Sequence, residues 1–220
     1  PLGLGYCNLG ALLMRSGMGY DSDEARDYAA YITSVMGGEA YRTSAELAQL
    51  LGPFECFAEN RDAMLNVVGA HAANSTTQFP AYSVWRDAYD MGLAHGFRNS
   101  QVTLLAPTGT IGIVMDADTT GVEPEYDLVT YKTLAGGGVA RRVSGSVREA
   151  LRVTGREDSA IARAVQALET TGRIGGALDI DANDRAVLAT AAGEWPLAPE
   201  AHVRMMAAVQ PFLSGGISKT

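Results

Sequence analysis

Residues 97–123 read Phe-Arg-Asn-Ser-Gln-Val-Thr-Leu-Leu-Ala-Pro-Thr-Gly-Thr-Ile-Gly-Ile-Val-Met-Asp-Ala-Asp-Thr-Thr-Gly-Val-Glu. The apolar and β-branched run at 102–106 predicts a strand buried on both faces, as in a parallel sheet covered by helices. Pro107 has no N–H for a ladder and ends it. Thr108, Gly109, Thr110, Ile111 and Gly112 then alternate hydroxyls with small, turn-forming residues at the C-terminal end of that strand, where open α/β sheets and barrels bind ligands. Such a turn can aim several backbone N–H groups at one point, with the threonine hydroxyls as further donors. That suits phosphate or another compact anion, and it also suits a plain strand-ending turn. No Lys follows the second Gly and the three-glycine spacing is missing, so neither the Walker nor the dinucleotide pattern is met.

Helical patterns flank this strand. Ahead of it, Asp21 or Ser22 can cap a helix whose first turn carries Asp23 and Glu24 and whose apolar stripe is Tyr28, Ile32, Val35, Met36 and Ala40. Gly37-Gly38 predicts a kink or a close packing contact, at about 1 kcal/mol per glycine relative to Ala. Leu47, Leu50 and Leu51 carry the pattern to a stop at Gly52-Pro53. Asn60 can cap a short helix bearing Met64, Leu65, Val67 and Val68, after which Asn74-Ser75-Thr76-Thr77 reads as a loop. Tyr82, Trp85, Ala88, Tyr89 and Leu93 mark another helix, with Gly96 as its left-handed terminator. Its aromatic stripe reads as core.

Beyond residue 112, Asp116, Asp118, Glu123 and Glu125 form an acidic cluster that does not match a calcium loop. It is expected to be solvated or ion-paired, with Arg98 or Lys132 as partners. Residues 127–134 read as a strand ending at Gly136-Gly137-Gly138. Ser146 and Glu149 read as a capping box for a helix ending near Gly155. Further helices are expected at 159–171 and 186–192, and from Pro199 with Val203, Met206 and Val209 inward, until Pro211.

The bounds are those of one domain. At 220 residues and 47% hydrophobic content the chain can bury a core. A net charge of −8 argues against a nucleic-acid partner. No apolar run approaches the length of a membrane span, and a soluble, cytoplasmic protein is expected. Cys7 and Cys56 are too few for a disulfide framework and lie in no zinc-ligand spacing. His71, His95 and His202 are scattered and read as surface or satisfied helix residues.

Arg98-Asn99-Ser100, Ala106-Pro107-Thr108-Gly109-Thr110-Ile111-Gly112 and Asp116-Ala117-Asp118-Thr119-Thr120-Gly121-Val122-Glu123-Pro124 together resemble the catalytic subunit of ribonucleotide reductases, in particular the adenosylcobalamin-dependent class II enzymes. Pro1-Leu2-Gly3-Leu4-Gly5-Tyr6 with Asn8-Leu9-Gly10, Gly38-Glu39-Ala40-Tyr41, Leu134-Ala135-Gly136-Gly137-Gly138 and residues 205–220 look like the same family in the same order. Only residues 155–199 carry no such motif.

The resemblance implies an α/β fold, with residues 1–220 as a partial catalytic domain from the C-terminal half of a ten-stranded α/β barrel. It implies that Ala106, Pro107, Thr108, Gly109, Thr110 and Ile111 hold the phosphates of a ribonucleotide substrate. It implies adenosylcobalamin as cofactor, on residues not located in this chain, and an external dithiol such as thioredoxin as reductant. Homodimerisation is common in that family. The family's thiyl cysteine lies in an Asn-x-Cys-x-Glu pattern, which this chain lacks. Neither Cys7 nor Cys56 is carried over as catalytic, and the chain is expected to be a piece of a longer polypeptide, inactive alone. A non-catalytic nucleotide- or phosphate-binding module derived from the reductase, a scaffold in which Thr108 and Thr110 only cap a helix, and, within the family, a cobalamin-independent class I reductase subunit are the rival readings.

Overall fold

The computed structural model describes residues 1–75, 81–133 and 136–219. Its helices are α1 (Leu9–Arg15), α2 (Asp23–Leu51), α3 (Phe57–Asn74), α4 (Ala81–His95), α5 (Gly109–Val114), α6 (Ser146–Val153), α7 (Asp158–Thr171), α8 (Ala182–Val187) and α9 (Pro199–Val209). Its named strands, β1 (Val129–Thr133) and β2 (Val139–Val143), form one antiparallel pair with Tyr131 opposite Arg141. The chain divides into two compact units. One comprises Pro1–Tyr6, Asp27–Ala106 and Met205–Lys219, the other Cys7–Arg26 and Pro107–Arg204.

In the first unit the expected strand at 102–106 is extended and flanked by parallel neighbours on both sides. Thr103 bridges Leu4 and Leu105 bridges Ile217, with Leu4 N–H donating to the Val102 carbonyl and Ser218 N–H to that of Leu105. Val102, Thr103 and Leu105 are buried, as a strand covered on both faces requires. Each ladder is a single bridge long, because Pro107 stops the run on one side and the partner segments are short. Among the described residues the fold is mostly helical, and the expected half of a ten-stranded barrel is not displayed; the parallel bridges are the α/β feature present.

The core of this unit gathers on Trp85, which is 0% exposed. Tyr41 and His71 lie 5.8 and 5.3 Å from its ring, and its indole N–H donates to Ser34 Oγ at 2.9 Å. Ser22 Oγ caps α2 by accepting the Ala25 N–H at 3.0 Å. Helix α2 runs unbroken through Gly37-Gly38, and the close-packing alternative is the one realised. A Cβ at Gly37 would lie 2.9 Å from the Trp85 ring and meet the Phe212 carbonyl. The stripe of Leu47, Leu50 and Leu51 is not core: Leu50 is 79% exposed.

Three expectations fail here on capping and register. Asn60 lies inside α3, not at its start, and its amide donates to the Cys56 carbonyl. Asn74 ends α3 and Ser75 follows it; Thr76 and Thr77 lie outside the described residues. The buried positions of α9 are Ala201, Met205 and Val209, every fourth residue, whereas Val203 is 60% exposed. A 3.6-residue repeat keeps positions four apart on one face. Gly96 does end α4, with φ 76.

In the second unit, Leu151, Ile161, Leu168, Ile174 and Leu188 form the centre of an apolar cluster under α6 and α7. Gly136-Gly137-Gly138 precedes β2, so the expected lone strand is half of a hairpin; Leu134 and Ala135 lie outside the described residues. The capping box at Ser146 and Glu149 is absent, since Gly145 holds the cap position. Ser146 Oγ instead accepts from Arg15 Nε at 3.2 Å, and Glu149 lies 3.5 Å from the same nitrogen. A capping box does exist at α8, where Asp181 and Asp184 serve each other's backbone. Helix α8 ends at Val187, so most of the stretch expected at 186–192 is not helical. Leu188 N–H closes the last turn, and Thr190 bridges Pro196.

Candidate functional site

Ala106 closes the extended run of the first unit. Pro107, Thr108, Gly109, Thr110 and Ile111 open the second, where α5 begins at Gly109. Thr108 has φ 52, a left-handed conformation that costs a β-branched residue about 1–3 kcal/mol. A specific contact holds it: Thr108 Oγ1 accepts the Gly121 N–H at 2.8 Å. That hydroxyl is thus engaged outside α5. The first N–H groups of α5 have no acceptor within the helix. Gly109 and Thr110 are exposed, and a Cβ at Gly109 would find nothing within 4 Å.

The segment that receives Thr108 is fixed from elsewhere in the same unit. Asn8, itself left-handed at φ 72, accepts the N–H groups of Asp118 and Thr119 on its side-chain oxygen at 2.8 and 3.0 Å. Asn8 N–H returns a bond to the Thr119 carbonyl at 2.9 Å, and Tyr20 OH donates to the Val122 carbonyl at 2.6 Å. A Cβ at Gly10 would stand 2.5 Å from the Glu123 carbonyl oxygen, so only glycine admits that approach. Asn8-Leu9-Gly10, Thr108-Gly109-Thr110 and residues 116–124 thus form one hydrogen-bonded constellation. Sequence reasoning gave Asn8 no role; the tolerance of Asn for left-handed backbone was the available signal.

The acidic cluster is ion-paired in part, by other partners than those expected. Asp118 pairs with Arg15, and its other oxygen lies 3.7 Å from Arg142. Arg98 donates instead to the Leu51 and Gly52 carbonyls, and the Lys132 side chain lies outside what is described. Asp116 is exposed. Glu125 is 5% exposed and accepts from Ser144 Oγ at 2.6 Å. Burial pushes its carboxyl above the usual range, with Asp118 adding to the rise and the Ser144 hydroxyl opposing it.

A pH dependence follows. The folded state holds the Glu125 proton more tightly than the unfolded chain does. Its stabilising share is complete below the ordinary Glu range and falls away as pH rises through the raised value. Glu125→Gln is expected to flatten that decline, so the melting-temperature gap between variant and wild type should open as pH rises from 4 to 8. A gap independent of pH would refute it. Asp21 and Asp184 act in the opposite sense: hydrogen bonds from arginines hold both carboxyls low against the cost of burial.

Among the described residues, no three His, Cys, Asp or Glu side chains gather to hold a metal, and no helix is long and apolar enough to cross a membrane. Cys7 is half-buried and Cys56 exposed, both as free thiols.

The family model for the barrel domain of ribonucleotide reductase matches residues 1–220. The chain belongs to that family. Within it, the vitamin B12-dependent ribonucleotide reductase of Streptantibioticus cattleyicolor is 46% identical over all of this chain and 38% of its own length. The proteins of the same name from Streptomyces coelicolor and Rhodopirellula baltica are each 42% identical over the whole chain, which spans 24% and 22% of them. This reductase-family chain therefore covers well under half the length of these relatives. The joined constellation is made of the very segments that carried the family resemblance.

Proposed function

We propose that this chain supplies the substrate-phosphate loop of an adenosylcobalamin-dependent ribonucleotide reductase. The observation that supports this reading is the loop itself: exposed Gly109 and Thr110 at an open helix start, on a left-handed Thr108 fastened to Gly121. Backbone N–H groups fixed this way meet a phosphate without reorganising, and they anchor the nucleotide far from its reacting carbon.

In the reaction so assigned, a cysteine thiyl radical takes the 3′-hydrogen. The 2′-hydroxyl leaves as water, and a cysteine pair supplies the electrons, later restored by an external dithiol such as thioredoxin. Neither Cys7 nor Cys56 serves as the radical cysteine, and this chain alone is inactive. The cofactor would supply radical initiation. Its site is placed on none of the described residues. The more apolar cavity of the second unit, about 390 Å³ and lined by Thr120, Pro124, Tyr126 and Ala191 among others, is at the small end of ordinary ligand pockets, and a corrin is a large ligand.

Gly109→Asp tests the loop in the full-length polypeptide assayed with adenosylcobalamin. The site has room for the side chain, but its carboxylate would oppose the substrate phosphates. Loss of one charge-assisted contact, about 1.5–3 kcal/mol, corresponds to a fall in kcat/KM of roughly 10- to 150-fold, mainly through KM. Unchanged kcat/KM would remove the phosphate assignment. Binding of nucleotide with no turnover in the wild type would favour the non-catalytic module.

A further inference from the structure

We infer a second anion site, in the groove between β2, α6 and α7. It is an open cavity of about 730 Å³ lined by Arg141, Arg142, Ser144, Gly145, Arg148 and Glu169, with Val143 and Val165 at its floor. Three guanidiniums against one carboxylate make it cationic in a chain whose net charge is −8.

The three arginines differ in commitment. Arg141 is fixed: it donates to the Glu169 and Thr170 carbonyls at the end of α7 and lies 5.7 Å over the Tyr131 ring. Arg142 is 70% exposed and only 3.7 Å from Asp118, a loose pair whose acid already has Arg15 as its nearer partner. Arg148 is exposed, and among the described residues no carboxylate stands within ion-pair distance of it. Two guanidinium forks thus remain available for planar, bidentate capture of an oxyanion.

The groove also receives the start of α6, whose cap residue is Gly145 and therefore brings no side-chain acceptor. The first amides of α6 are already taken, Ser146 N–H by the Ser144 hydroxyl and Val147 N–H by the Ser144 carbonyl, so recognition rests on the arginines. A ligand carrying several adjacent negative charges meets all of these at once, whereas a monoanion meets one fork. The site fits a di- or triphosphate group, free or as the tail of a nucleotide. Glu169 sets a limit, since it repels any anion that reaches the α7 side.

The test is titration calorimetry of the full-length polypeptide with inorganic tripolyphosphate and, separately, with ATP. Because Arg148 is exposed with no ion pair among the described residues, and Arg142 is 70% exposed, Arg148→Ala and Arg142→Ala/Arg148→Ala should fold as wild type by circular dichroism. The double variant is expected to lose one tripolyphosphate site, or to bind at least tenfold more weakly, while Gly109→Asp keeps that site. Arg148→Lys should retain most of it. Equal loss of ATP and tripolyphosphate binding identifies the phosphates as the recognised group; loss of ATP binding with tripolyphosphate binding unchanged would overturn it. Wild-type affinity and stoichiometry in the double variant would overturn the site, and so would a loss reproduced by Gly109→Asp.

Discussion

Replacing Asn8 with alanine is expected to destabilise the second unit by about 2–6 kcal/mol, because two N–H groups lose their common acceptor at about 1–3 kcal/mol each. The Asp118 and Thr119 amides both bond to the Asn8 side-chain oxygen. Alanine also tolerates φ 72 poorly. Two further variants separate these causes. Asn8→Asp keeps an acceptor and a residue at ease in left-handed backbone, and should recover most of the loss. Asn8→Gly relieves the backbone but not the amides, and should recover little. Urea midpoints for the three variants check the order. Asn8→Ala equal in stability to wild type would mean that the amides find other partners. The effect should reach the proposed phosphate loop, since Gly121, three residues after Asp118, is what holds Thr108.

Trp85→Ala is expected to cost about 3–5 kcal/mol in the first unit, the range for removing a fully buried Trp. The indole is 0% exposed, contacts Tyr41 and His71, and sits against Gly37 and Gly38 of α2. Its loss would also remove the donor to Ser34 Oγ. Trp85→Phe should cost less, because it fills more of the space and forfeits mainly that hydrogen bond. Chemical denaturation followed by tyrosine fluorescence gives both numbers; a loss under 1 kcal/mol for Trp85→Ala would show that α2 and α4 close over the gap.

Where the sequence was informative, the cause was local. Ser22, Gly52 and Gly96 bound helices as cap and left-handed residues do, and Trp85 and Ala88 lie on the buried side of α4. Where it misled, the cause was competition. Ser146 and Glu149 have capping-box spacing, but Arg15, more than 130 residues away in the chain, takes Ser146 for itself. Leu47, Leu50 and Leu51 have helical periodicity, yet periodicity does not say which stripe finds a covering element.

By itself the sequence determined some helix ends, those at Ser22, Gly52 and Gly96, the extended run at 102–106 and, through its motifs, the reductase family. These rest on capping, backbone preference and residue spacing, which act over a few positions. Only the tertiary structure decided that Asn8, Thr108 and Gly121 belong to one constellation, that Asp118 pairs with Arg15, and that Glu125 is buried among hydroxyls. Those are long-range contacts between groups whose chemistry permits many partners, and packing alone selects among them.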